Sequence, residues 1–393
     1  MSCFQAVYNV TKRKYAYQKT ADFFAQEEEF NVMFFGSSHM LNSIFPMKLW
    51  NNYGIVSYNL GTKSESLAIT YYNIQLALKY TKPKVIVVDT FITTDDDKIR
   101  GNSELSHDSL DAYPMSYIKY LAIEDLFPND RAEYLFDFSL YHSRWDELIK
   151  EDFVQVSKKE KGAETRTSVV LPNKINNFSD VDIYKENENV NMQYLRKIIE
   201  YCKEKDIEIL LTYFPYPAEK RDIGISKYVQ KIADEYDVNY INFLSMNVVD
   251  YNTDCYDSNS HLNPSGARKV TEYLGQYIME NYDIPDQRQN EAYSFWYQDY
   301  DEYIDLKIEN LEKNKKNLNN YLMLLYDEED IKYEIKISTK RKIEEGSTLK
   351  NLLENIGNNY QIDDSSFEKN KDKTIKITTW DNRTGEEIDT VWF

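Results

Sequence analysis

Apolar residues along this chain follow two alternating rhythms. Short continuous runs rich in β-branched and aromatic residues (Asn31 to Phe35, Val56 to Leu60, Lys84 to Phe91, Ile207 to Phe214 and Val238 to Leu244) read as buried strands. Between them, apolar positions recur at three- and four-residue spacing over Ser66 to Tyr80, about 190–204, about 219–236 and Pro264 to Tyr282, which predicts helices. Pro215 and Pro217 stop the fourth strand, and Pro264 suits the first turn of the last helix. Five strands interleaved with helices imply an α/β fold, a three-layer αβα sandwich around a mainly parallel five-stranded sheet. Ligands of such sheets gather at the carboxyl ends of the strands.

The rhythm breaks in two places. Residues 92–190 carry an acidic run, Asp95-Asp96-Asp97, many aromatics between Tyr113 and Trp145, and a polar region near 157–180. This insertion leaves the sheet at the carboxyl end of the third strand, so it is expected to form a cap or groove wall beside the site. Three consecutive aspartates do not converge on one ion without an unusual turn, and the run reads as a solvated loop. Beyond residue 283 the pattern predicts a charged helix at 297–320, a hairpin from Leu322 to Tyr326 and Ile331 to Ile337, a helix at 348–356, and strands Thr374 to Trp380 and Ile388 to Phe393. The expected domains are a main one over 30–283 and a small α+β one over 284–393. Residues 1–29 form an N-terminal arm whose apolar start and Lys12-Arg13-Lys14 patch read either as the stub of an anchor or as a fraying terminus.

Two distant stretches answer each other chemically. Phe34-Phe35-Gly36-Ser37-Ser38-His39 breaks a strand at a glycine and delivers two serines into a turn; residues 253–271 place aspartates and His261 just ahead of a helix. A serine hydroxyl needs a base within reach, and the base needs a carboxylate to fix its tautomer, so this is the residue set of a Ser-His-Asp hydrolase or acyltransferase. The chain has only 4 histidines. His39 adjoins the serines, where neighbouring side chains diverge, and reads as a surface or packing residue. His107 and His142 lie in the insertion, away from any serine motif. His261 is the candidate base.

Gly36-Ser37-Ser38 after the first strand, Tyr58-Asn59-Leu60-Gly61 after the second, and Asp257 to His261 followed by Leu262-Asn263 and Gly266 resemble the SGNH (GDSL-like) hydrolase superfamily. The resemblance covers roughly residues 30–283 with gaps, and His-Leu-Asn-x-x-Gly is its most specific part. It is nearest to the extracytoplasmic branch that handles acyl groups on cell-surface polymers, as in alginate O-acetylation and teichoic-acid D-alanylation. Members of that branch often work beside a membrane-bound O-acyltransferase. The resemblance implies Ser38 as nucleophile, His261 as base, and backbone amides of Ser38 and Gly61 as oxyanion donors.

Two departures stand out. The family's acid falls three residues before the histidine, which is Ser258 here; Asp257 lies four before and is the expected acid, with Asp254, seven before, in reserve. The family's third oxyanion donor is the Asn of a Gly-x-Asn-Asp segment, where this chain reads Val88-Asp89-Thr90-Phe91. An ionised Asp89 donates no hydrogen bond, so the hole holds two amides or borrows Thr90. Resolution of an acyl-enzyme by water would make the chain an esterase, and by a sugar hydroxyl a transferase. The lost donor and shifted acid keep a second reading open, a retained scaffold that binds a glycan or a membrane acyltransferase.

Acids outnumber bases 66 to 47, and the formal charge of −19 argues against nucleic acid as a partner. The 34 tyrosines either stack on sugar rings or fill half-buried positions. Cys3, Cys202 and Cys255 are widely spaced and form neither a disulfide framework nor a zinc pattern; Cys202, on an amphipathic run, reads as core. No metal or cofactor is expected. No apolar run reaches the ~18 residues of a membrane span. From the resemblance, the expected substrate is an acylated polysaccharide or cell-wall polymer, and the expected place is outside the cytoplasm, held at the membrane by an N-terminal anchor.

Overall fold

A computed structural model of the chain describes residues 15–26, 28–94, 103–136, 142–148, 153, 159–172, 181–183, 188–259, 261–326 and 329–393. In chain order the first region forms α1 (Tyr15–Ala25), β1 (Val32–Phe35), α2 (Ser38–Ser43), α3 (Pro46–Tyr53), β2 (Ser57–Asn59), α4 (Leu67–Ala77) and β3 (Val85–Asp89). The insertion contributes α5 (Ser103–Leu110), α6 (Tyr117–Leu126) and α7 (Arg131–Leu135). Then come α8 (Val190–Glu204), β4 (Glu208–Tyr213), α9 (Lys220–Tyr236), β5 (Asn239–Asn242) and α10 (Pro264–Asn281). The C-terminal region adds α11 (Phe295–Asn314), α12 (Leu318–Leu324), β6 (Ile331–Ile337), α13 (Thr348–Asn355), β7 (Gln361–Ile362), β8 (Ile375–Asp381) and β9 (Glu387–Trp392).

Strands β1 to β5 form one parallel sheet in the order β2-β1-β3-β4-β5, and the α/β architecture is the expected one. Successive strand residues face opposite sides. Met33 and Phe35 of β1, with Ile86 and Val88 of β3, join a core with α4, α8 and α9. Val32, Phe34, Val85 and Val87 join a second core with α2, α3 and α10. Strand order reverses between β1 and β3, so a crevice opens at their carboxyl ends, and the Gly36-Ser37-Ser38 turn follows β1 there.

The N-terminal reading needs correction from residue 15 onward. The aromatic and polar face of α1 buries Lys19, Thr20, Asp22 and Phe23, with Phe23 packed on Tyr58 at 5.4 Å, so this part belongs to the main domain and is not an arm. Residues 1–14, with Cys3 and the basic patch, lie outside the described residues. So does the Asp95–Asp97 run.

Two further elements differ from expectation. Leu322 does not start a hairpin strand: Asn317 accepts the Asn320 N–H and starts α12, whose Tyr321, Leu322 and Met323 are buried. The same cap divides the expected 297–320 helix into α11 and α12. β6 instead pairs antiparallel with β8 and parallel with the short β7. The boundary at 283 is also not a clean division of cores. Trp296, Tyr300, Tyr303 and Ile304 of α11 pack into the main domain, with Trp296 5.4 Å from Trp50, and the C-terminal core begins at Leu311.

The insertion does not act as a whole as a cap. Tyr113, Phe127 and Tyr134 are buried, and α6 docks on the sheet's helices where Asp125 accepts from Tyr72 (2.7 Å) and Tyr194 (2.6 Å). Tyr117, Tyr120, Phe136 and Trp145 are exposed. His107 is buried, stacked on Tyr134 at 3.9 Å. Among the described residues of the insertion, 160–166 reaches β2 and the later part of α2, beside the serine turn. There Lys161 O accepts the Asn59 N–H (3.0 Å), the Glu164 N–H donates to Leu41 O (3.1 Å), and Asn42 Nδ2 donates to Glu164 O (2.8 Å). Among the described residues no helix is long and apolar enough to cross a membrane.

Candidate active site

The serine turn is shaped by Gly36. Its φ of +139° suits glycine, and a Cβ there would stand 2.5 Å from Asp89 Cβ. The turn makes Ser37 the N-cap of α2: its Oγ accepts the His39 N–H (3.2 Å) and donates to Asp89 Oδ2 (2.5 Å). Asp89 also accepts the N–H groups of Ser37 (3.3 Å) and Phe91 (3.0 Å). Burial pushes the Asp89 carboxyl up to about 6, against the pull of these donors. Ser37 is therefore consumed in joining β1 to β3, and Ser38 opens α2, half-buried, with its hydroxyl available.

The histidine is delivered by a small hairpin. Asn263 N–H donates to Asp254 O (3.0 Å), Tyr256 N–H donates to His261 O (2.9 Å), and Cys255 bridges Leu262. Asn263 caps α10 by accepting the Ser265 and Gly266 N–H groups, while its Nδ2 donates to Thr253 O (2.7 Å). Gly266 carries no Cβ because one would lie 2.6 Å from Asp254 O. The His-Leu-Asn-x-x-Gly pattern thus has a physical content: the Asn ties loop to helix, and the Gly lets them touch.

Ser38 Oγ and His261 Nε2 stand 2.9 Å apart, although they are 223 positions apart in sequence. His261 Nδ1 lies 2.8 Å from Asp257 Oδ2. With a carboxylate at Nδ1, the neutral imidazole carries its proton there and leaves Nε2 to accept from Ser38. The four-residue spacing works because the chain curls around the carboxylate: Asn259 N–H (3.0 Å) and His261 N–H (3.1 Å) both donate to Asp257 Oδ1. Asp254 is not brought to the imidazole. Its fully buried carboxylate accepts from Ser265 Oγ (2.8 Å), Lys269 Nζ (2.7 Å), Thr253 Oγ1 (3.0 Å) and the Asp250 N–H (2.8 Å).

The oxyanion side departs from expectation. Thr90 donates both its N–H (2.8 Å) and its hydroxyl (2.9 Å) to Thr212 O, extending the β3–β4 ladder, and so offers the site no donor. The Gly61 N–H donates to Asn59 Oδ1 (3.0 Å), while Asn59 Nδ2 holds the carbonyls of Met40 (2.9 Å) and Ile44 (3.1 Å). The Ser38 N–H, first in α2, has no i−4 partner inside the helix, and among the described residues it meets no acceptor, so it is an open amide.

Several neighbours carried no sequence signal. Of the surface and packing roles expected for His39, the buried packing one holds, and its ring lies 4.7 Å from His261 and 4.0 Å from Phe91. Burial, then the nearby His261, holds its pKa well below the usual imidazole value, so it stays neutral. The Tyr256 ring lies 5.6 Å from His261, and its hydroxyl donates to Asn42 Oδ1 (3.3 Å). Glu164 pairs with Arg166 and with Lys63 (3.8 Å) on the neighbouring wall. Cys202 and Cys255 are both buried free thiols.

The chain after Gly61 rests on a buried acid. Glu65 accepts from Thr62 (2.6 Å), Thr70 (2.7 Å) and Asn73 (3.1 Å), yet burial raises it from 4.5 to about 7. A raised carboxyl favours the fold when protonated; that contribution is fully present below about 4.5 and is lost as pH rises through about 7. The loss is on the order of 3 kcal/mol. Glu65→Gln, which stays neutral, should therefore gain thermal stability relative to wild type between pH 5 and pH 8. A difference in melting temperature that is the same at both pH values would refute this.

Comparison with known families and with curated proteins finds no match to the sequence.

Proposed function

We propose that the chain is a serine-dependent O-acyl esterase or acyltransferase of SGNH type, with Ser38 as nucleophile, His261 as base and Asp257 as orienting acid. What carries the reading is the 2.9 Å contact between Ser38 Oγ and His261 Nε2, backed by the 2.8 Å contact of Nδ1 with Asp257, at the carboxyl edge of a parallel sheet. His261 takes the Ser38 proton as Oγ bonds to the acyl carbon, and the Ser38 N–H donates to the oxyanion. The Nε2–H of the imidazolium then protonates the departing alkoxide, leaving the acyl group on Ser38. Water or a sugar hydroxyl, deprotonated by His261, attacks that ester, and the imidazolium returns the proton to Ser38 Oγ as its bond to the acyl carbon breaks, giving a carboxylic acid or a new ester.

The substrate class proposed is an O-acyl ester on a cell-envelope or exported polysaccharide, handled outside the cytoplasm beside a membrane acyltransferase. This part rests on the motif resemblance and on the charge, which disfavours nucleic acids. One observation favours the alternative, a glycan- or partner-binding scaffold without chemistry: Asn59 and Thr212 occupy the donors of Gly61 and Thr90, so of the three expected donors two are spent within the fold.

A fluorophosphonate probe and a set of acetylated oligosaccharides separate these readings. The expected result is a probe adduct on the Ser38 peptide and acetyl release or transfer that quickens with oligosaccharide length. Turnover of p-nitrophenyl acetate as fast as any glycan would remove the polysaccharide assignment while keeping the triad. A folded protein that takes no probe would favour the scaffold.

A further inference from the structure

We infer that the C-terminal module is part of the catalytic apparatus, and that Asn355 of α13 is a positioning residue that braces the hairpin carrying Asp257 and His261. The inference rests on the esterase reading above.

Four side chains close a ring. Ser265 Oγ donates to Asp254 Oδ1 (2.8 Å) and accepts from Asn355 Nδ2 (2.7 Å); Lys269 Nζ donates to Asp254 Oδ2 (2.7 Å) and to Asn355 Oδ1 (2.6 Å). Each donor meets an acceptor around the ring, and the amide of Asn355 fits in one orientation only. Ser265 and Lys269 belong to the first turns of α10, and Asp254 is the base of the hairpin. Asn355 is the member supplied from the C-terminal module, 90 positions beyond Ser265.

The ring acts directly on the site. Asp254 O accepts the Asn263 N–H, which closes the hairpin two residues after His261, and Asp257 lies three residues after Asp254. A shift of Asp254 therefore moves both ends of the turn that sets the His261 to Asp257 contact. The module grips the same helix a second time: Arg268 Nη1 donates to Tyr326 O (2.8 Å), and Lys269 lies over the Tyr326 ring at 5.0 Å. Asn355 is half-buried at the end of its helix, so changing it removes two hydrogen bonds without opening the module's core.

The test compares wild type, Asn355→Ala and Asn355→Asp in the full chain. Asp keeps an acceptor for Lys269 but loses the donor to Ser265 and sets a second carboxylate beside Asp254. Both variants should inactivate with fluorophosphonate, and hydrolyse p-nitrophenyl acetate, roughly tenfold more slowly in kcat at unchanged KM. Their melting curves should remain cooperative. The low-field proton resonance of His261 Nδ1–H should shift or broaden, which a merely structural role for Asn355 would not produce. Wild-type kcat and an unmoved resonance in either folded variant would overturn the brace. A wild-type protein that takes no probe would sink the esterase reading instead, and the resonance would then decide the brace alone.

Discussion

Ser38→Ala is expected to lower kcat for ester hydrolysis by roughly five to six orders of magnitude, as loss of the nucleophile does in other triad enzymes. The change removes the hydroxyl placed on His261 Nε2. The neighbouring serine cannot take over, because the Ser37 hydroxyl is spent on Asp89 and on capping α2. The backbone of α2 should be unaffected, so the open Ser38 amide survives and some residual rate over water persists. Melting temperature should stay near that of wild type, since the Ser38 hydroxyl caps no helix and its contact is with His261. Ser37→Ala makes the informative contrast. It should destabilise the fold and slow the enzyme, yet leave the probe adduct on Ser38. Retention of more than about one per cent of wild-type turnover in Ser38→Ala, measured by a continuous ester assay on folded protein, would remove Ser38 from the mechanism.

Much of the fold is legible in sequence because burial on both faces makes a parallel strand a continuous apolar run. β3 shows this most plainly, with all of Val85 to Asp89 buried. The Ser38 and His261 contact is legible for a different reason. Gly36, Asn263 and Gly266 act on backbone within a few residues of the functional side chains, so their chemistry is written locally. The oxyanion donors are not local in that sense. Whether the Gly61 N–H is open depends on where the Asn59 side chain turns, and whether Thr90 is open depends on the register of β4 beside β3. Neither is a property of a short motif. Asn355 is less legible still, since its partner Ser265 belongs to another module. The hairpin expected at Leu322 failed on capping: a run of apolar residues fits strand or helix equally, and the Asn317 side chain decided it.

Asp257→Asn and Asp254→Asn should fail in opposite ways. In Asp257→Asn the new carboxamide can present its NH2 group toward His261 Nδ1, which then must accept; the proton moves to Nε2, and Nε2 no longer accepts from Ser38. In serine proteases this tautomer error reaches about four orders of magnitude in kcat, and the same scale is expected here. The fold should tolerate it, because Asp257 is part-exposed and an amide oxygen in place of Oδ1 still accepts from Asn259 and His261. Asp254 is the reverse case. Neutralising it leaves Lys269, whose side chain is only 15% exposed, without its carboxylate, at a cost of roughly 3 kcal/mol or more. Melting temperature should fall clearly, while kcat at a temperature where the variant is folded should drop no more than about a hundredfold, through loosening of the hairpin. Parallel melting curves and pH–rate profiles decide it. If Asp254→Asn loses as much kcat as Asp257→Asn with an unchanged melting temperature, then the Asp257 carboxylate held by the Asn259 and His261 N–H groups is not what orients His261, and the acid must be reassigned.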